Sequence, residues 1–126
     1  MTLHLKEGIQ IGSFHFVGMV ELKELAQLLE EYPFEEEVLE KAAVHRRSME
    51  SGIAPFQVTL RLEPGSFALL GEEEIVFEFG GLELRDGKSK AAALLGLSAD
   101  RLEGSVKAHI FLTTREQMDK LENNQI

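Results

Sequence analysis

The residues with most chemical content are Asp86-Gly87-Lys88-Ser89-Lys90. A short apolar strand through Leu82 and Leu84 delivers the chain into Asp86-Gly87, and a helix is predicted from about Lys88 to Leu95, with Ala91, Ala92 and Ala93 suited to close packing on a sheet. A strand, turn and helix in this order present backbone N–H groups and the positive end of the helix dipole to whatever lies above the turn, so the expected ligand is an anion. Lys88 and Lys90 stand in the first helical turn, where the dipole disfavours cations; they call for solvent exposure or an anionic companion. A plainer role stays open beside this one, with Asp86 as an N-cap, Gly87 as a tight turn and the lysines as solvated charges. The string Gly87-Lys88-Ser89 imitates the end of a P-loop, but that motif needs a glycine five positions before Gly87, where Leu82 stands.

Other chemistry-bearing residues are scattered. His45-Arg46-Arg47 form a candidate basic patch in the later half of a predicted helix, where dipole complement and solubility are the simplest roles. The four histidines, at 4, 15, 45 and 109, lack the paired spacing of zinc or non-haem iron ligands, and no metal is assigned. Glu35-Glu36-Glu37 fits an acidic helix start and Glu72-Glu73-Glu74 a solvated turn, rather than a Mg²⁺ site. Phe14, Phe16, Phe56, Phe77, Phe79 and Phe111 are expected mostly in the core, because a base-stacking surface normally comes with a basic groove.

The elements that must position these residues follow from periodicity. Phe14 to Val17 continue Ile9 to Ile11 with alternating character, bracketed by glycines at 8, 12 and 18, which predicts an N-terminal strand or bulged pair. Leu22, Leu25, Ala26, Leu28 and Leu29 recur at helical spacing and stop before Pro33; Val38, Leu39, Ala42, Ala43 and Met49 predict a second helix between Glu35 and Ser51, ended by Gly52. Phe56, Val58, Leu60 and Leu62 alternate as a half-buried strand that Pro64-Gly65 is predicted to turn, and Ile75, Phe77 and Phe79 as another that Gly80-Gly81 is predicted to break. Gly96 is placed as a helix cap, with Ser98 to Leu102 as a helical turn or loop. Val106, Ala108, Ile110 and Leu112 line one face of a last strand. Thr113 and Glu116 then match a capping box for a closing helix, with Met118 and Leu121 inward, fraying at Asn123-Asn124.

Composition sets the class. With 126 residues, 44% of them hydrophobic, the chain suits one mixed α/β domain over residues 1–126. The absence of cysteine removes disulfides, thiolate nucleophiles and cysteine-based zinc sites. Thirteen basic against twenty-two acidic side chains leave a formal charge of −9, which repels nucleic-acid phosphates and argues against non-specific DNA coating. No apolar run reaches membrane-spanning length and the N-terminus lacks a secretion signal's order, so a cytoplasmic location is the expectation.

The segment Asp86-Gly87-Lys88-Ser89-Lys90-Ala91-Ala92-Ala93-Leu94 resembles the D-G-Q-H-R-x-x-A-[AIL] signature of DGQHR-domain proteins, including the DndB-like proteins of DNA phosphorothioation systems. It is also similar to the G-x-x-R-x-x-A core of ParB-type domains, with Gly87, Lys90 and Ala93 at the three positions. Ser48 to Pro55 resembles the S-I-x-x-x-G-x-x-x-P approach of ParB-like domains, with proline one place early, and His45-Arg46-Arg47 resembles a Q-R element upstream. Val106 to Phe111 is similar to the families' strand, and Thr113 to Asn124 to their closing helix with its Asn-containing end, here Leu121 to Gln125. The match runs in order over residues 14–124.

The resemblance implies a ParB/sulfiredoxin-like mixed sheet with flanking helices, a nucleotide or phosphate at residues 86–90, and a neighbourhood of DNA partition, DNA modification and its regulation. Gln, His and Arg are replaced here by Lys88, Ser89 and Lys90. Lysine offers a point charge in place of arginine's planar fork, and Ser89 removes a candidate acid or base. The sulfiredoxin cysteine is absent.

Three functions follow as expectations. The first is an accessory or regulatory protein of a DNA-modification system with a degenerate phosphate or nucleotide site, partnered by a nucleotide or a regulatory protein. The second is a hydrolase of nucleoside triphosphates, with Lys88 and Lys90 on phosphates and Asp86 holding Mg²⁺; the sequence names no acid, base or water-positioner for it. The third is an adaptor that self-associates, as a homodimer, through an exposed strand edge.

Overall fold

The computed structural model describes residues 1–123. Five strands close into a barrel in the order β1-β2-β5-β3-β4, with β4 returning to β1. They are β1 (Thr2–Gln10), β2 (His15–Glu21), β3 (Gln57–Leu70), β4 (Glu74–Asp86) and β5 (Ser105–Phe111). All neighbours are antiparallel except β3 and β5, which run parallel from Gln57 opposite Lys107 to Arg61 opposite Phe111. Among the described residues four α-helices flank the barrel: α1 (Leu22–Leu28), α2 (Glu36–Met49), α3 (Lys88–Ala93), extended by a 3₁₀ turn over Leu94–Gly96, and α4 (Arg115–Asn123). The chain is thus a mixed α/β domain whose sheet is closed. None of the helices among the described residues is long and apolar enough to cross a membrane.

Alternation decides the barrel interior. Leu3 and Leu5, Phe16 and Val20, Val58 and Leu60, Ile75 and Phe77, and Ala108 and Ile110 all point inward and are fully or nearly fully buried. Phe16 meets Phe77 edge to face with ring centroids 5.1 Å apart. On α1, Leu22, Leu25 and Ala26 are buried as their spacing predicts, followed by Leu29 just past its end. On α2 only Ala42 and Met49 are buried, and Leu39 stays exposed, because the helix packs along a narrow seam against the small residues of α3.

Two predicted breaks are absent. β3 runs through Pro64-Gly65 and β4 through Gly80-Gly81, in one ladder from Thr59 opposite Asp86 to Leu70 opposite Glu74. The breakers compensate each other across the ladder: a β-carbon on Gly80 would lie 2.8 Å from Pro64 Cδ, so the missing side chain makes room for the ring. Beyond Arg61, β3 has β4 on one side only among the described residues, and such an edge tolerates a proline without an N–H to donate.

The capping box of the last helix lies one residue later than its sequence pattern suggests. The Thr114 amide donates to Gln117 Oε1 (3.0 Å) and the Gln117 amide to Thr114 Oγ1 (3.1 Å). Thr113 is instead buried, and its carbonyl accepts a hydrogen bond from Arg61 Nη1 at 3.0 Å. The predicted fraying segment falls partly on Asn124, outside the described residues.

Candidate functional site

At the end of β4 the ladder register shifts between Thr59 and Leu60, placing Arg85 as an extra residue. Leu60 faces Leu84 and Thr59 faces Asp86, so the bulge turns Asp86 outward beside Thr59. Gly87 follows in the left-handed region (φ 77°, ψ 22°) as the residue that precedes α3. The N-cap is therefore Gly87 and not Asp86, since Asp86 is still paired in the sheet; no side chain caps the helix. A side chain at position 87 would also run into the Gln57 backbone, so both the turn and the close approach require glycine.

The first helical hydrogen bond is donated by Ala91 to the Gly87 carbonyl at 2.9 Å. The amides of Lys88, Ser89 and Lys90 precede it and have no intrahelical acceptor. They border an open cleft of about 700 Å³ formed by residues 85–90, by Phe56 and Gln57 at the start of β3, and by Val38 and Lys41 of α2. Asp86 and Lys88 are exposed, while Gly87, Ser89 and Lys90 are half-buried. Among the described residues neither Lys88 nor Lys90 forms an ion pair, whereas Lys41 has Glu37 at 3.6 Å one turn away.

Arg85, the remaining cation of the cleft, is committed elsewhere. Its guanidinium donates to Glu83 (3.0 Å), Asp119 (2.7 Å) and Glu122 (2.6 Å). These bonds, foremost those to Glu122, hold it charged well above the ordinary arginine range. Arg61 extends the network through Glu83 at 2.9 Å, and Arg115 joins it at 3.0 Å, so three arginines and their acids fasten α4 to the barrel. Buried Arg61 loses by desolvation but is held charged by Glu83 and Glu63.

The triplet 45–47 does not join the turn as a basic patch. Arg46 donates through Nε to the Ala93 carbonyl (3.0 Å) and through Nη2 to the Ala92 carbonyl (3.4 Å), at the opposite end of α3 from Gly87. Arg46 and Arg47 lie in the last turn of α2, as dipole complement requires, and Arg46 serves the carbonyl end of α3 as well. His45 is half-buried and Arg47 exposed on α2. Missing from the sequence reading was Lys41, whose helical position gives no sign that it faces a turn more than forty residues later.

A second cleft of about 660 Å³ opens between the outer barrel face and α4, sharing Gln57, Arg85 and Asp86 with the first. Here β2 lies beside β5 and brings His15 and His109 together, with Nε2 of His15 3.0 Å from Nδ1 of His109. The His15 ring also stacks on Phe111 at 4.0 Å. Burial lowers the pKa of both imidazoles; His109 adds to the effect on His15, and Lys107 adds to it on His109 while Asp86 opposes it. Spacing along the chain could not reveal this pair. Phe14 and Phe111 line this cleft and Phe56 the first, so half of the aromatic set expected in the core forms cleft walls.

Searches against protein-family models, curated proteins and solved structures find no match to this chain.

Proposed function

We propose that this chain binds phosphate-bearing ligands at the turn of residues 86–90, as an accessory or regulatory protein of the kind that the DGQHR and DndB-like resemblance implies. One observation carries the reading: a left-handed glycine opens the amides of residues 88–90 onto a cleft where Lys41, Lys88 and Lys90 converge and the neighbouring arginine is already neutralised. Ser89 and Lys90 stand where that family has histidine and arginine, which suits binding by point charges better than a geometrically exact phosphate clamp. The test is calorimetry with inorganic phosphate, pyrophosphate and nucleoside triphosphates in the presence of Mg²⁺. Binding that weakens at least tenfold in Lys88→Ala/Lys90→Ala supports the reading, and no heat with any of the three ends it.

A second reading, self-association through a strand edge, draws on a separate observation. From Ser66 to Leu70, β3 has no strand on its second edge among the described residues, and Phe67, Leu69 and Leu70 are exposed there. Sedimentation velocity distinguishes a dimer from a monomer.

A further inference from the structure

The outer end of the β3–β4 ladder carries apolar side chains beyond the point where the barrel closes. Phe67 and Leu69 stand directly opposite Phe77 and Ile75, so they face the same side as these core residues. Yet Phe67 is 40% and Leu69 72% exposed, because β5 accompanies β3 only as far as Arg61. Leu112 covers the next step, its Cδ2 lying 2.8 Å from where a β-carbon on Gly65 would stand. From Ser66 to Leu70 the edge is open.

An antiparallel ladder directs alternate N–H and C=O groups away from the paired strand. Among the described residues, no backbone group from Ser66 to Leu70 bonds to another backbone group outside the β3–β4 ladder. The segment also lacks the lysine, proline or bulge that commonly blocks a strand edge. Phe16 packs on Phe67 with ring centroids 4.7 Å apart, which holds the strand in place before any partner arrives.

The charges beside this edge are of one sign. Residues 71–73 form the turn, and Glu72, Glu73 and Glu74 form no ion pair among the described residues. Lys6, opposite Glu74 in the ladder, is bonded to Glu21. At the other end Glu63 is bonded to Arg61, which also serves Glu83. Two copies joined antiparallel about Ala68 would set Glu73 of each against Glu63 of the other and bring no free cation to the turn. A strand with basic residues at that end brings one.

We propose that this edge receives a strand from a partner protein, with apolar residues at alternate positions and lysine or arginine at the end that passes the β3–β4 turn. The apolar residues would pair with Phe67 and Leu69 on the core side, the main chain would take the open N–H and C=O groups, and the basic residues would meet Glu72 and Glu73. The proposal goes beyond self-association, with which it shares the edge: a second copy leaves the turn's carboxylates unpaired, so the basic strand is the better complement and displaces it.

The experiment follows a fluorescein-labelled peptide, Lys-Lys-Val-Thr-Val-Thr-Val-Lys-Lys, by anisotropy as the full chain is added. One control carries glutamate in place of every lysine. Another carries proline in place of the central valine and the threonine after it, which keeps the charge but removes an N–H from each edge of the strand. The lysine peptide is expected to bind about tenfold or more tighter than either control, to protect amides within residues 66–70 from hydrogen exchange, and to dissociate any dimer seen by sedimentation. Leu69→Lys is expected to weaken binding about tenfold, and Glu72→Lys/Glu73→Lys to shift the preference to the glutamate peptide. All three positions are exposed, and urea unfolding checks that the variants stay folded. No binding of the lysine peptide overturns the proposal. So does equal binding of the proline peptide, which would reduce the effect to attraction by the net charge of −9, and so does an unchanged preference in the charge-reversed variant. A dimer that the peptide leaves intact also overturns it and leaves self-association standing, whereas a monomer that captures the peptide removes self-association alone.

Discussion

The carbonyl oxygen of Gln57 occupies the place that a β-carbon on residue 87 would take. Gly87 is thereby wedged against β3 in a left-handed conformation, and the orientation of the whole turn depends on it.

Gly87→Ala should cost more than the roughly 1–2 kcal/mol that a left-handed backbone imposes on an L side chain, because β3 must also shift. Urea unfolding of the variant measures this. Stability equal to wild type would mean that the turn relaxes freely and does not hold the amides of residues 88–90 in place.

Lys41→Ala tests whether α2 contributes to the anion site. Its exposed position beside Glu37 makes little difference to folding. Phosphate affinity should fall about threefold to tenfold, and the slope of affinity against salt should decrease. An unchanged affinity would confine the site to the turn.

Arg61→Ala should destabilise the domain by roughly 3 kcal/mol. The substitution leaves Glu83, Glu63 and the Thr113 carbonyl without their shared donor beside the base of α4. Chemical denaturation gives the loss, and hydrogen exchange should show α4 opening ahead of the barrel. A loss below about 1 kcal/mol would place this ion cluster among weak surface pairs.

His4 predicts a pH dependence. Its ring bonds to Glu24 at 2.9 Å, which raises its pKa above the usual 6.5, aided by the charges of Glu24, Glu74 and Glu21 and opposed by burial. A raised folded-state pKa contributes stability that is fully present below the unfolded value and disappears as pH climbs through the folded one. Wild type should therefore exceed His4→Gln in stability by more at about pH 5.5 than at about pH 8.5. With its side chain 43% exposed the ring is well solvated, so the increment should stay under about 1 kcal/mol. An identical difference at both pH values would refute the coupling.

Leu69, 72% exposed on the unpaired part of β3, tests the strand-edge reading. Leu69→Lys should convert a sedimenting dimer to a monomer without loss of phosphate binding. A monomeric wild type would dispose of that reading.

Much of the fold is legible in local pattern. The period-two runs through Val58-Leu60-Leu62 and Ile75-Phe77-Phe79 mark their inward faces, and the 3.6-residue run from Leu22 to Leu29 marks a buried helix stripe. Such periods depend only on how each element repeats. Pro64-Gly65 and Gly80-Gly81 mislead because their punctuating effect holds for an isolated segment. Across a ladder a proline and a glycine can fit one another, and no local window contains both.

The chain's own chemistry settled that residues 86–90 form a strand-to-helix turn, since glycine, flanking apolar residues and an alanine run act over a few positions. Which groups share that turn's surroundings was decided only by barrel closure. Setting β2 beside β5 joins His15 to His109 across 94 residues, and packing α2 on α3 delivers Lys41 while spending Arg46 on the carbonyls of Ala92 and Ala93. Strand order arises from the summed burial of many distant side chains, so no short stretch of sequence carries it.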